Sequence, residues 1–315
     1  MMISFIIPCY KSEKTLGNVV DNIEEMMSKQ TEYDAEIVLV NDGSPDNTFS
    51  VIRELVDKYD NITGVDFAKN RGQQSAIMAA IKYSRGEIIA CCDDDGQTPI
   101  ETVFDFIDSM DENGYDVVCA NYINRGKRSL FRRFGSWLND QMSIYFLEKP
   151  KNVNTSVYFV AKRFVAEEMA KYDNPYPYIT GLLLRTTDKI GNVDVEQKNR
   201  MAGESGYNFK RLFSLWINGV TTFSIKPLRL ANFVGMGLAL IGFIIIVILV
   251  IQKIANPHVS MGWTSIIATN LLVGGIIMMI LGLIGEYIGR IYVCLNKMPQ
   301  YVERTVIGRN SGDHK

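Results

Sequence analysis

Three consecutive carboxylates, Asp93, Asp94 and Asp95, follow directly on the apolar run Glu87–Cys92. An apolar run of that length bounded by turn residues reads as a buried strand. The carboxylates then stand where the strand leaves its sheet, the edge at which open α/β sheets bind ligands. Like charges so close together repel unless a cation lies between them, and oxygen donors favour a hard cation such as Mg²⁺ or Mn²⁺. Side chains alternate along an extended chain, so Asp93 and Asp95 can share one metal while Asp94 points elsewhere. The same residues would serve equally well as a solvated acidic turn capping a helix that starts near Pro99.

What is missing narrows the chemistry further. The chain has two histidines, His258 and His314. A Ser-His-Asp triad, an HExxH zinc site and a His general base are therefore excluded from the first two hundred residues. The five cysteines form no CxxC pair and fall mostly within strand-like runs, which suits reduced core thiols in a cytosolic compartment. A net charge of −2 gives no reason to expect nucleic acid. The charge is unevenly spread, however: Lys and Arg are dense over Arg125–Arg133 and again over Lys198–Arg229. That half calls for an anionic partner, either phosphate or a lipid surface.

The elements that must position these residues alternate strand and helix. Ile3–Pro8 reads as a strand, Thr15–Lys29 as a helix with Leu16, Val19, Val20, Ile23 and Met27 at helical spacing, and Glu36–Val40 as a second strand. The alternation continues with a helix through Tyr59, a short strand near Val65, a helix over Gln73–Tyr83, the strand that ends in the carboxylates, a helix over Pro99–Asn113 and a strand over Asp116–Ala120. This pattern implies an α/β, Rossmann-like layout with a mostly parallel sheet. No GxGxxG or GxxxxGK[ST] loop is present, so a nucleotide would be held by strand-end carboxylates and a metal. The N-terminal run has neither the charged region nor the cleavage site of a signal peptide.

Beyond the alternation, Ser129–Leu147 interleaves aromatic residues with Arg128, Arg132 and Arg133, and Phe209–Ile225 sets Leu212, Phe213 and Trp216 beside Lys210 and Arg211. Both suit the plane of a membrane interface, while the first would also serve as a core-facing helix with solvated arginines. Val234–Ile251 and Trp263–Ile284 are apolar enough to be expected as two membrane spans, a hydrocarbon core of about 30 Å requiring about 20 helical residues. Basic residues flank the outer ends of this pair, so the positive-inside rule places the catalytic domain and both termini in the cytosol. The expected organisation is a catalytic domain over 1–208, an interfacial segment over 209–229, a transmembrane hairpin over 230–285 and a tail over 286–315.

These parts together suggest sugar transfer from a nucleotide donor to a lipid acceptor. A divalent ion on Asp93 and Asp95 would neutralise the departing diphosphate. A lipid phosphate would be gathered by Arg125, Arg128, Arg132, Arg133 or Arg200. A phosphate oxygen is already ionised at neutral pH and needs little help from a base.

At this point the residues support a resemblance. IIPCYKSEKTL, VNDGSPDNT, KNRGQQSAIMAA, DDDGQTP, SLFRRFGS, RMAGESGYNFKRL and LGEYIGRIY occur in this order over nearly the whole chain. The sequence resembles glycosyltransferase family 2 enzymes of the GT-A fold, in the branch that transfers sugars to polyprenyl phosphates such as undecaprenyl phosphate. The resemblance implies an inverting transfer with a UDP-sugar favoured over a GDP-sugar, Mg²⁺ or Mn²⁺, and a homo-oligomer, a tetramer, in a bacterial cytoplasmic membrane. It also implies that Pro8, Tyr10, Glu13 and Asp42 hold the donor base and ribose. Asp93, Asp95 and Gln97 would bind metal and diphosphate, and Asn70, Arg71, Gly72 and Gln73 would form a loop beside the donor or simply a helix N-terminus. Arg200 and Ser205 would contact phosphate, with Arg125 and Arg132 toward the lipid.

Three departures from the family pattern stand out. Lys11-Ser12 replaces Asn-Glu, Gly206 stands where Lys is common, and Asn154 stands where an Asp proposed as a base is usual. With Asn154 unable to take a proton, the acceptor acts unaided or Asp94 substitutes. A processive polysaccharide synthase would carry QxxRW, whereas Met201 follows Gln197 and Arg200 here, and two spans cannot enclose a polymer. A membrane scaffold that binds nucleotide sugar or lipid without transfer is the non-enzymatic alternative. Gly235, Gly237, Gly274 and Gly275 would let helices approach closely, between copies or within one hairpin.

Overall fold

The computed structural model describes residues 1–123, 141, 143–145, 148–196, 198, 226–255, 262–296 and 298–309. The chain divides into two compact units, Met1–Gly219 with Lys297–Lys315, and Val220–Asn296.

In the first unit the strands are β1 (Met2–Cys9), β2 (Asp34–Asn41), β3 (Ile62–Phe67), β4 (Ile88–Cys91), β5 (Val117–Tyr122), β6 (Phe159–Lys162), β7 (Ile190–Val195) and β8 (Glu303–Gly308). The helices are α1 (Leu16–Ser28), α2 (Thr48–Lys58), α3 (Gln73–Tyr83), α4 (Val103–Asn113), α5 (Arg163–Ala170) and α6 (Ile179–Thr186). One mixed sheet runs β7-β5-β6-β4-β1-β2-β3-β8. Strands β4, β1, β2 and β3 are mutually parallel, as are β5 and β7. Strand β6 is antiparallel to both β4 and β5, and β8 is antiparallel to β3. The expected GT-A, Rossmann-like architecture is thus present, with its parallel core flanked by two antiparallel intrusions.

The local reasons are those of hydrophobic period. Strand β1 buries every residue from Ile3 to Cys9, as a central strand covered on both faces must. Helix α1 buries Leu16, Val19, Val20, Ile23 and Met27, the stripe its spacing presents. Helix α3 buries eight of its residues, from Ser75 to Ile81 and Tyr83, and has a weak polar face because it is packed on nearly all sides. Gly114 ends α4 in the left-handed conformation (φ +65°), a usual glycine stop.

Three strands lie outside the sequence expectation, among them β7, which pairs parallel with β5. Strand β6 is only FVAK, too short to announce a period, and it inserts between β4 and β5. Strand β8 lies in the segment expected as a tail, yet it pairs with β3 and covers an otherwise open sheet edge.

The second unit holds α7 (Lys226–Ala255) and α8 (Trp263–Leu295). Both expected apolar segments are helical, but among the described residues one stretch, Val273–Leu295, is long and apolar enough to cross a membrane. This corrects the expectation of two such spans. The described apolar run in α7, Gly235–Ile245, is shorter, about 16 Å of helix at 1.5 Å per residue. The qualifying stretch also extends past Ile284 and takes in Glu286 and Arg290, which pair one turn apart at 2.7 Å. The glycines do not bring these two helices into close approach. A Cβ on Gly235 would meet Ile280 Cδ1 at 3.8 Å, and Gly237, Gly274 and Gly275 face nothing within 4 Å.

Candidate active site

The carboxyl ends of β1, β2, β3 and β4 bring together most of the described residues singled out from the sequence. Strand β4 ends at Cys91, and the chain turns through Asp94 and Asp95 to Gly96 at φ +74°. That turn separates the three carboxylates. Asp93 accepts a hydrogen bond on Oδ1 from Gln73 Nε2 at 3.0 Å, and its own N–H donates to Thr98 Oγ1 at 3.2 Å. Asp95 Oδ1 accepts the Gln97 N–H at 3.0 Å. Asp94 turns the other way, its Oδ2 accepting the Tyr10 N–H at 2.9 Å while its carbonyl accepts from Thr15 Oγ1 at 2.7 Å. Its carboxyl therefore ties the end of β4 to the end of β1. Burial pushes the Asp94 carboxyl up to about 6, and the Asp95 charge adds to the rise against the opposing Tyr10 hydrogen bond.

Asp93 and Asp95 share a field. Tyr122, at the end of β5, has its phenol pushed up by burial and then by the charges of both Asp93 and Asp95, with a Ser156 hydrogen bond opposing. Two carboxylates that bear on one phenol present a concentrated negative potential to the same space. Neither the 3₁₀ turn Ile100–Thr102 nor α4 has a side-chain cap bond at its start, and within the acidic turn Asp95 itself holds the Gln97 N–H.

The donor set can be tested against the expected metal. Asp93 and Asp95 offer only hard oxygen ligands, and among the described residues no group of three or more His, Cys, Asp or Glu could hold an ion by itself. Two carboxylates with coordination left open match a Mg²⁺ or Mn²⁺ that completes its shell with substrate phosphate oxygens and water. The residues therefore fit the group.

The loops after β2 and β3 form the opposite wall. Asp42 is buried (3 %) and accepts the Arg71 N–H on Oδ1 at 2.6 Å and the Gly72 N–H on Oδ2 at 2.8 Å. Asn70 Nδ2 donates to the Asp42 carbonyl at 3.0 Å. A carboxylate at the N-terminus of α3 is also well placed against the helix dipole. The Asn70–Gln73 stretch is thus a helix N-terminus that also faces the acidic turn, through Gln73. Gly43 permits the close crossing of these loops, since a Cβ there would lie 2.6 Å from Asn70 N.

At β1, Pro8 is buried in the sheet and Tyr10 emerges 40 % exposed. Lys11 takes φ +57°, and its Nζ stands 5.6 Å from the centroid of the Tyr10 ring. Ser12, in place of the family's acid, is buried, and its N–H donates to Thr48 Oγ1 at 3.0 Å. Glu13 faces the start of α2, accepting the Asn47 N–H at 3.1 Å. Gln97 exchanges hydrogen bonds with the backbone of Lys198.

Asn154 is bound into an amide chain. Its Nδ2 donates to Asn121 Oδ1 at 3.1 Å, and Asn121 Nδ2 donates to Asp194 Oδ1 at 2.6 Å. Its backbone exchanges two bonds with Asn192, at 2.8 and 2.7 Å. Arg125, Arg128, Arg132, Arg133, Arg200, Ser205 and Gly206 lie outside the described residues, as does most of Ser129–Leu147.

Tyr122, Ser156, Thr15 and the Asn41–Asp66 pair were not anticipated. Tyr122 could have been found by applying to β5 the strand-end rule that singled out Asp93. The others depend on contacts between segments far apart in the chain.

Comparison with known proteins follows the same lines. Residues 4–169 match the model of glycosyl transferase family 2, and residues 226–291 match the GtrB C-terminal hairpin. The uncharacterized glycosyltransferase YkcC of Bacillus subtilis is 33 % identical, covering 97 % of this chain and 94 % of the relative. A prophage bactoprenol glucosyl transferase homolog of Escherichia coli is 29 % identical, covering 97 % and 99 %. An undecaprenyl-phosphate 4-deoxy-4-formamido-L-arabinose transferase of Photorhabdus laumondii is 29 % identical, covering 98 % and 95 %. Among solved structures, glucosyl-3-phosphoglycerate synthase of Mycobacterium tuberculosis superposes with a TM-score of 0.51 at 17 % identity, covering 70 % of this chain and 78 % of that one. The chain belongs to glycosyl transferase family 2 and is a glycosyltransferase.

Proposed function

We propose that this enzyme transfers a sugar from a nucleotide-sugar donor, a UDP-sugar in preference to a GDP-sugar, to undecaprenyl phosphate, with inversion at the sugar. The observation that carries the reading is the contact of Asp93 with Gln73 at the start of α3, beside the loops that Asp42 binds, at the carboxyl edge of a family 2 fold. Full-length relatives named for bactoprenol and undecaprenyl phosphate supply the acceptor class.

In this reading Tyr10 offers an exposed ring at the mouth of the site against which a base can stack. Asp42 holds the loops after β2 and β3 in the shape that receives the nucleoside. Asp93 and Asp95, with Gln97, would hold a divalent ion and the donor diphosphate. When bound, that ion supplies charge neutralisation for the leaving group. A crystal form of the Mycobacterium tuberculosis neighbour is described as a complex with Mn²⁺ and UDP. The acceptor phosphate attacks as an anion, gathered by Arg125, Arg128, Arg132, Arg200 and Ser205. Asp94, bound to the Tyr10 backbone, serves as a positioning group and not as a base.

In this reading α8 crosses the membrane over Val273–Leu295 and α7 is the other arm of the hairpin, with the catalytic unit and both termini on the cytoplasmic face. The limits at 208 and 229 and a homo-oligomeric assembly belong to the same proposal, while the expected limit at 285 gives way to the end of α8 at Leu295.

The test incubates the full-length protein in nanodiscs with a panel of UDP- and GDP-sugars and undecaprenyl phosphate, followed by mass spectrometry of the lipid. A polyprenyl-phosphate sugar formed in Mg²⁺ or Mn²⁺ and abolished by EDTA is expected. Nucleotide binding with no lipid product from any donor would instead establish the scaffold reading.

A further inference from the structure

Strand β8 carries Arg304, and Arg304 reaches the end of β3. Its Nη1 lies 3.3 Å from Asp66 Oδ2, and its Nη2 donates to the Ala68 carbonyl at 3.2 Å. The Asp66 side chain is 5 % exposed, so this carboxylate depends on the partners the protein supplies. Its Oδ1 accepts from Asn41 Nδ2 at 2.7 Å. Asn41 Oδ1 accepts the Ser44 N–H at 3.2 Å, and Ser44 Oγ accepts the Lys11 N–H at 3.2 Å. A continuous chain of hydrogen bonds thus runs from β8 through the ends of β3 and β2 to the residue after Tyr10.

Each link has a direction. The Asp66 charge decides which way the Asn41 amide faces, because its Nδ2 must donate to the carboxylate, and that leaves Oδ1 for the Ser44 N–H. Arg304 compensates the same charge from the other side. The strand that bears Arg304 is itself pinned. The Tyr301 ring stacks on Phe67 at 4.7 Å, the Ala68 N–H donates to the Val302 carbonyl at 2.8 Å, and the Tyr83 hydroxyl donates to Glu303 at 2.7 Å. The β3–β8 register shifts between Asp66 and Phe67, the kind of irregularity that re-aims a strand end.

We propose that Arg304 is a positioning residue for nucleotide binding, acting through Asp66 and Asn41 to hold the Asn41–Ser44 loop. The proposal rests on the reading of the loops after β2 and β3 as the donor site. Arg304 touches no reacting atom. Its loss leaves a buried carboxylate balanced by one amide, releases the orientation of Asn41 and so loosens the loop against which the nucleoside would lie.

The experiment uses full-length protein in nanodiscs with Mg²⁺. It measures UDP and GDP binding by calorimetry, donor KM and kcat, and the thermal midpoint, for wild type, R304A, R304K and I307A. Ile307 lies on the same strand but packs into the core, so I307A reports what a weakened β8 does by itself. The expected result is that R304A raises nucleotide Kd and donor KM about five- to tenfold while kcat stays within about twofold. R304K, which retains the charge opposite Asp66, recovers most of that loss. I307A lowers the thermal midpoint at least as far with unchanged Kd. An R304A protein that binds nucleotide within about twofold of wild type, or no worse than an equally destabilised I307A, overturns the positioning role alone. Wild-type protein that binds neither UDP nor GDP overturns the donor-site reading and this proposal with it.

Discussion

Asp93, Asp94 and Asp95 are adjacent in the chain, yet the turn that carries them sends Asp94 to the Tyr10 backbone and leaves the other two to share a field at Tyr122. Their substitutions should separate accordingly. In single-turnover transfer, D95N is expected to lose on the order of 100-fold, the scale of removing a group that stabilises developing leaving-group charge. D94N should stay within about tenfold of wild type, since an amide oxygen still accepts the Tyr10 N–H; a collapse equal to that of D95N would make Asp94 the base after all. Asn154 gives a second contrast at this scale. Its Nδ2 donates to Asn121 Oδ1, while Asn121 Nδ2 is committed to Asp194. An Asp at 154 would set acceptor against acceptor. N154D should therefore lower stability by about 1–2 kcal/mol in thermal denaturation and bring no gain in transfer rate.

The elements around the site are set by loops that cross at glycines. Gly43 (φ +59°) and Gly72 (φ +90°) both occupy the left-handed side of the map, but their surroundings differ. A Cβ on Gly72 meets nothing within 4 Å, so G72A costs backbone strain alone, on the order of 1–3 kcal/mol. A Cβ on Gly43 would meet Asn70 N at 2.6 Å and Lys69 C at 2.8 Å, which adds a clash with backbone to the strain. G43A should thus have the lower thermal midpoint of the two and the larger rise in donor KM, because relieving the clash separates the two loops that Asp42 binds together. Strands β1 to β5 were legible at this scale because each is an apolar run between turn residues. Strand β6 was not, because four residues without a period acquire strand character only from β4 and β5 on either side.

At the scale of the molecule, the first unit is assembled from both ends of the sequence: Met1–Gly219 supplies seven strands and Lys297–Lys315 the eighth. Ending the chain after Asn296 would remove β8 and expose the β3 edge along Thr63–Phe67. Such a truncation should aggregate, and hydrogen exchange should show faster labelling of β3 than of the central strand β1; equal protection would mean that β8 is dispensable to the sheet. Composition and period determined much of the rest. The order of strands and helices through β5, the acidic strand end, the absence of a P-loop and of any histidine in the first two hundred residues, and the apolar character of two later segments all follow from local spacing. Tertiary structure alone decided that Asp94 is a tie between β4 and β1, that β6 and β8 enter the sheet antiparallel, and that Arg304 stands beside a carboxylate 238 residues away in sequence. The physical reason is the range of the forces. Hydrophobic period and turn chemistry act within a few neighbouring residues, whereas strand pairing and the hydrogen bonds of a buried carboxylate join whatever segments the sheet places side by side.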